Sequence, residues 1–334
     1  NMCGLCGVSF FSNQKLDKIK ILGKKLNSKL EHRGPDEEGS YISQLGSNNL
    51  LFHKRLSILE ISEKGSQPMT SHDKNLILCF NGEIYNHLEL RKKLEDKYKI
   101  AWKGNSDTET LIESFCYFGI EKTIDLVEGM YAFALLDINK EKLFLGRDLF
   151  GEKPLYYYNN NKEVIFSSEV HNIDESFFSI NQDSIYQFLH YNYIPNSSCI
   201  YNNWKKVFPG QVICFDKNYK MTKFFDLKDN LNKEIKYKQK LSKSNSSKEF
   251  DKIFTKVVSD ILVADVNVGV FLSGGIDSSL VASYAKTLKK DLKTFSIGIK
   301  NNFDYDESNQ AEKISSFLKT DHETFYINND EILE

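Results

Sequence analysis

No stretch of the 334-residue sequence approaches the roughly 20 consecutive apolar residues that cross a bilayer. The opening residues, Met2-Cys3-Gly4-Leu5-Cys6-Gly7, lack a basic segment and a small-residue cleavage site, so they do not read as a secretory signal. An excess of one charge is also missing. The 44 Lys and Arg nearly balance the 46 Asp and Glu, for a formal net charge of −2, and a nucleic-acid binder built on a basic face is not expected. Cysteines are few, six in all, at positions 3, 6, 79, 116, 199 and 214. Only Cys3 and Cys6 are close, which excludes both a dense disulfide framework and a paired CxxC zinc site and points to a reducing, cytoplasmic setting. The phosphate-binding pattern GxxxxGK[ST] and the dinucleotide pattern GxGxxG are absent. What is present is ordinary for a globular protein: 40% hydrophobic and 27% charged residues, with enough chain for about two domains at roughly 150 residues each.

The first ~225 residues alternate short β-branched or aromatic runs with helical patterns. Strands are expected at 8–11, 50–53, 76–80, 131–137, 142–147, 155–158 and 164–167. Helices are expected from the run of Ile19, Ile21, Leu22, Leu26 and Leu30, of Leu88, Leu90 and Leu94, and of Leu111, Ile112, Phe115 and Phe118, the last ended by Gly119. Sheets covered by helices, an α+β layered domain over residues 1–225, fit this order. Residues 226–248 are charged, then serine-rich, and read as a linker. From 249 the pattern changes. An amphipathic helix (Phe250, Ile253, Phe254, Val257, Val258, Ile261, Leu262) precedes strands at 268–272, 294–299 and 323–327, with helices at 278–288 and 307–318 between them. Strand–helix alternation implies a parallel α/β sheet, thin at three strands, so the 249–334 region reads as the start of a domain.

Two local patterns carry chemistry. Ser273-Gly274-Gly275-Ile276-Asp277-Ser278-Ser279 lies between a strand and a helix. Glycines let main-chain N–H groups approach an anion, the helix N-terminus adds positive potential, and the serines add hydroxyl donors. The alternative is an ordinary capped turn. At the other end, a cysteine at a mature N-terminus can use its own α-amine, which titrates near ~7.7–8.0, as general base. For Cys3 this requires removal of Met2; the alternative is a small buried hydrophobe. Asn81-Gly82 can supply a side-chain and a main-chain donor to a tetrahedral oxyanion, Arg55 a carboxylate clamp, and Glu83 and Asp107 an ammonium clamp. Read singly, these are a type I′ turn, a surface ion pair and a helix N-cap. A nucleophile, two oxyanion donors and clamps for both ends of an amino acid in one chain favour the chemical reading.

These strings resemble the glutamine-dependent asparagine synthetases of the class II amidotransferase type. The resemblance rests on Cys3-Gly4, His32-Arg33-Gly34-Pro35-Asp36, Arg55-Leu56-Ser57-Ile58, Asn81-Gly82-Glu83-Ile84-Tyr85-Asn86, Ser106-Asp107-Thr108-Glu109, Gly129-Met130-Tyr131-Ala132-Phe133-Ala134, Arg147-Asp148, Gly151-Glu152-Lys153-Pro154-Leu155-Tyr156, Ser168-Glu169, Ser273 to Ser279 and Thr294-Phe295-Ser296-Ile297-Gly298. It covers essentially the whole chain.

The resemblance implies an αββα glutaminase of N-terminal-nucleophile type followed by an incomplete domain of ATP-pyrophosphatase type. Cys3 would attack the glutamine amide, with Asn81 and Gly82 as oxyanion donors. Arg55, Leu56, Ser57, Ile58, Leu59, Asn81, Gly82, Glu83 and Asp107 would hold glutamine. Leu272, Ser273, Gly274, Gly275, Asp277, Ser278 and Ile297 would hold ATP. Aspartate would become an acyl-adenylate that ammonia converts to asparagine. Mg²⁺ and a homodimer are further implications; no nucleic acid or membrane partner is. Departures are Asn1-Met2 ahead of the nucleophile, His171 where the family reads Lys, and a synthetase domain that in the family runs beyond 334. A different carboxylate acceptor, or a non-catalytic chain, are the competing readings.

Overall fold

The computed structural model describes residues 2–11, 16–43, 48–160, 162–171, 178–195, 198–218, 221–226, 243–299 and 306–328. It divides into two compact units, Asn1–Lys238 and Gln239–Glu334.

In chain order the first unit contains β1 (Gly4–Phe11), α1 (Leu16–Ser28), β2 (Glu37–Ser43), β3 (Asn48–Arg55), β4 (Met69–Thr70), β5 (Leu76–Ile84), α2 (His87–Glu95), α3 (Asp107–Phe118), α4 (Ile120–Leu126), β6 (Gly129–Asp137), β7 (Lys142–Arg147), β8 (Tyr156–Asn159), β9 (Val164–Ser167), α5 (Gln182–Tyr191), β10 (Trp204–Lys206), β11 (Gln211–Asp216) and β12 (Met221–Asp226). The strands form two six-stranded sheets, in the orders β10-β8-β9-β1-β3-β2 and β12-β11-β7-β6-β5-β4. The strand pairs around β1, β3, β5 and β6 are all antiparallel.

Burial explains why the central strands read as near-continuous apolar runs. Alternate residues of a strand face opposite sides, and here both sides are covered. Leu5, Leu51, Ile77, Cys79, Ala132, Ala134 and Leu136 face inward and form the layer between the sheets. Their neighbours Cys6, Val8, Leu50 and Phe52 pack outward against Ile19, Leu22 and Leu26 of α1. On the other sheet Leu78, Phe80, Phe133 and Leu135 pack outward against Leu90, Leu111, Ile112, Phe115 and Ile124 of α2, α3 and α4. The result is an α-β-β-α sandwich. The two sheets are also tied by polar contact: the inward His53 of β3 donates Nε2–H to the Phe80 carbonyl of β5 at 2.9 Å. Its burial pushes the imidazole down to about 4, so it is neutral at physiological pH.

Several elements go beyond the sequence expectations. β2 is an edge strand whose side chains alternate between half-buried and exposed. β4, β10, β11, β12, α4 and α5 were not expected either. Asn81-Gly82 is not a turn; both lie within β5. Asp107 is not the N-cap of α3. Ser106 is, with its hydroxyl accepting from Glu109 N–H.

The second unit contains α6 (Lys243–Ile261), β13 (Gly269–Phe271), α7 (Ile276–Leu288), β14 (Lys293–Ile299), α8 (Ser308–Leu318) and β15 (Asp321–Ile327). Its three strands are parallel in the order β13-β14-β15. α6 starts at Lys243, inside the segment read as linker, and its first described side chains, residues 246–250, are exposed. A polar exposed turn forms helix without leaving an apolar signature. The rest of that segment, 227–242, lies outside the described residues. Val258 packs with Ala285 and Leu292, while Leu272 packs with Ala282 and Ala311.

Candidate active site

The period-2 pattern that builds the inter-sheet core also builds the site. Cys3 stands two residues before the inward Leu5 of β1. Arg55 stands four after Leu51 on β3. Asn81 and Glu83 stand two and four after Cys79 on β5. All four therefore continue the inward-facing layer past the end of its apolar part. There the sheets enclose a cavity of about 150 Å³ lined by Cys3, Arg55, Leu56, Ile58, Leu59, Asn81, Gly82, Glu83 and Asp107, together with Met2, Gly65, Gln67, Phe80, Thr108, Met130 and Lys153.

The Cys3 sulfur accepts the Leu56 N–H at 3.3 Å. Burial pushes the thiol up, and the Leu56 N–H opposes this in part. Its carbonyl accepts from Arg33 Nε at 3.0 Å, and Arg33 is in turn paired with Glu169. Asn81 is 1% exposed, and its Nδ2 has no hydrogen-bond partner among the described residues. A buried amide donor without an acceptor costs about 1–3 kcal/mol, which is tolerable where a ligand oxygen supplies the bond.

Gly82 pairs with Tyr131 across β5 and β6. On β5 the N–H groups of Phe80 and Ile84 turn away from β6, to Gln67 Oε1 at 2.6 Å and Asp107 Oδ2 at 2.9 Å. Since main-chain groups alternate between edges, the Gly82 N–H lies on that same edge, between them. A side chain at 82 is excluded, because a Cβ there would stand 2.1 Å from the Met130 carbonyl oxygen.

Asp107 opens α3 and is buried, 5% exposed. Burial pushes its carboxyl up to about 6, against the N–H groups of Ile84 and Thr108. Burial, then the charge of Asp107, pushes Glu83 up to about 7. Arg55 is not a surface ion pair. It is 5% exposed, pairs with Glu37 at 2.9 Å, and donates to the carbonyls of Leu59, Glu60 and Ser62. It thus shapes the 56–62 loop that walls the cavity. Ser57 is not on the cavity; its N–H donates to Asp36 at 2.7 Å. Lys153, Gln67, Thr108 and Met130 are on it and were not expected. Lys153 belongs to a string quoted above, with no local feature to mark it.

In the second unit the Ser273–Ser279 loop joins β13 to α7. Gly275 caps α7 with no side-chain bond, leaving first-turn N–H groups for an anion. Ser273 Oγ lies 3.0 Å from Ser278 Oγ and accepts the Gly275 N–H at 3.3 Å. Gly274 has φ +85°, the left-handed region, and a Cβ there would meet Gln310 and Ala311 at 2.8 and 2.9 Å. Asp277 lies in the exposed first turn of α7. Ile297, 56% exposed on β14, is accessible; Leu272 is not, its side chain being in the core at 1% exposure. The expected nucleoside contact by Leu272 is thereby limited to its main chain. Among the described residues no group of three or more His, Cys, Asp or Glu side chains is placed to hold a metal ion, so the residues here do not form a Mg²⁺ cage. No described helix is long and apolar enough to cross a membrane.

A four-layer αββα sandwich with a cysteine just ahead of a central strand, at the open end of the inter-sheet layer, defines the N-terminal-nucleophile class of fold. Comparison with known proteins narrows this. Residues 2–225 match the glutamine amidotransferase domain family, and residues 249–334 match asparagine synthase. A putative glutamine-hydrolyzing asparagine synthetase of Methanocaldococcus jannaschii is 33% identical over 97% of this chain and 65% of its own length. Glutamine-hydrolyzing asparagine synthetase 1 of Bacillus subtilis is 34% identical over 89% of this chain and 46% of its own, and asparagine synthetase B of Escherichia coli 31% identical over 85% and 45%. The chain belongs to the glutamine amidotransferase domain family, and its 249–334 segment is similar to asparagine synthase. It spans about half to two thirds of the length of these curated relatives.

Proposed function

We propose that the first unit hydrolyses glutamine and that the ammonia amidates a carboxylate activated by ATP, with aspartate as acceptor. The observation that carries the glutaminase reading is the buried, unpartnered Asn81 amide on the same cavity as the Cys3 sulfur. Once Met2 is removed, the Cys3 α-amine takes the thiol proton and the sulfur attacks the amide carbon of glutamine. The oxyanion is met by Asn81 Nδ2 and the Gly82 N–H. Ammonia leaves with the proton held by the amine, and water then cleaves the glutamyl thioester to glutamate. Asp107 and Glu83 supply negative charge for the substrate ammonium. Arg55 positions the wall formed by Leu56, Ile58 and Leu59 and presents its remaining face to the carboxylate.

In the second unit Ser273, Gly274, Gly275 and Ser278, at the free N-terminus of α7, would hold the phosphates of ATP, with Asp277 and Ile297 beside them. Mg²⁺, where required, would travel with the triphosphate. The acceptor reading rests on the relatives' names, and a comparison of aspartate with other carboxylic acids in ATP–pyrophosphate exchange tests it. The central test is ammonia release from glutamine by the chain carrying Cys3 at its N-terminus. Cys3→Ala is expected to abolish it; release that persists in that variant removes Cys3 from the role.

A further inference from the structure

Lys153 is the one cation in the cavity whose charge nothing yet described uses. It is 6% exposed, and no carboxylate oxygen among the described residues lies within ion-pair distance of its Nζ. The contact recorded there is the Met2 sulfur at 3.0 Å, on the residue whose removal frees the Cys3 amine. Its placement is fixed. Asp148, 1% exposed, accepts the Lys153 N–H at 3.0 Å and those of Phe150 and Glu152 at 3.1 and 2.9 Å. Arg147 Nε donates to the Lys153 carbonyl at 2.7 Å. A turn organised by the buried Asp148 carboxylate and the half-buried Arg147 guanidinium thus delivers an ammonium into the site rather than to solvent.

A buried ammonium without an anion is costly. The charged groups that act on it are Glu83, Glu152, Cys3 and Arg33; Cys3 also feels Asp107 and Arg55. We propose that Lys153 is the electrostatic partner of Cys3, stabilising the thiolate as it forms and occupying the place left by the Met2 side chain. This rests on the glutaminase reading and adds to it a residue acting through the nucleophile. Burial lowers the Lys153 ammonium and raises the thiol, so each gains from the other's charge. The cation also opposes the combined negative charge of Glu83 and Asp107.

The test is the pH dependence of iodoacetamide alkylation at Cys3, followed by mass spectrometry, in the chain with Cys3 at its N-terminus. A nearby cation moves a thiol by about one to three pH units. Lys153→Met is expected to raise the alkylation midpoint by at least about one unit and slow alkylation at pH 7 about tenfold, while Lys153→Arg keeps the wild-type midpoint. Lys153→Gln replaces the Met variant if thermal unfolding shows that the latter does not fold. An unchanged midpoint on removing the charge overturns the proposal, as does an equal shift in the Arg variant. A wild-type chain that alkylates at Cys3 yet releases no ammonia from glutamine overturns the glutaminase reading instead, so the two failures are distinguishable.

Discussion

The ammonium clamp proposed for Asp107 and Glu83 makes a quantitative pH prediction. Asp107 is buried on the cavity wall, and burial holds its carboxyl up at about 6 rather than near 3.8. A raised carboxyl is neutral until pH passes that value, and only the ionised form pairs with the α-ammonium of glutamine. Neither charged end of free glutamine titrates between pH 5 and 7, so the change belongs to the protein. With a midpoint near 6, about nine tenths of the carboxylates are ionised at pH 7 and about one in eleven at pH 5, so glutamine affinity is expected to fall about tenfold across that interval. Glu83, held up at about 7, loses charge over the same range and adds to the fall. The assay is calorimetric titration of glutamine into the Cys3→Ala chain, which keeps the cavity and removes turnover. Asp107→Asn is expected to bind about 10- to 150-fold more weakly at pH 7, the worth of one hydrogen bond to a charged group, and to lose the step near pH 6. Glu83→Gln is expected to keep that step. An affinity that is flat from pH 7 to pH 5 in the Cys3→Ala chain refutes the assignment of Asp107.

Three further outcomes follow from the geometry. Asn81→Ala is expected to lower kcat for glutamine hydrolysis about 10²- to 10³-fold with little change in KM or unfolding temperature, because Nδ2 has no hydrogen-bond partner among the described residues; steady-state kinetics with a melting curve decide it. Gly82→Ala is expected to destabilise the first unit by about 1–3 kcal/mol or more, since the new methyl lands 2.1 Å from the Met130 oxygen and 2.7 Å from the Tyr131 Cα; denaturant unfolding reads this. Gly274→Val is expected to abolish the thermal shift given by ATP, because a β-branched residue at φ +85° must reshape the loop; an unchanged shift removes that loop from nucleotide binding.

The layered core was legible because both faces of β1, β3, β5, β6 and β7 are covered, which writes each strand as an apolar run. β2 left no such mark, since its half-exposed edge tolerates Glu37, Glu38 and Ser40. β11 and α5 did carry signals, in the run Val212 to Phe215 and in the spacing of Ile185, Phe188 and Leu189. The site strings were readable, and nine of the ten distinct positions expected in the glutaminase site do line one cavity, Ser57 being the exception. What the strings did not reveal is long-range. That Arg55 is occupied by Glu37 and loop carbonyls, that Ser57 turns to Asp36, and that Lys153 enters the cavity all depend on how distant segments close on one another.

The first rung of β1 is Gly4 opposite Lys54, and its pairing with β9 begins at Cys6 opposite Ser167. Ahead of the nucleophile the described chain adds a single main-chain bond, Met2 N–H to the Arg33 carbonyl. Trimming to Cys3 therefore unzips no ladder. On the role proposed for Cys3, folding and arming are separable: the described sheets pair with Met2 in place, and freeing the Cys3 amine breaks none of their ladder bonds.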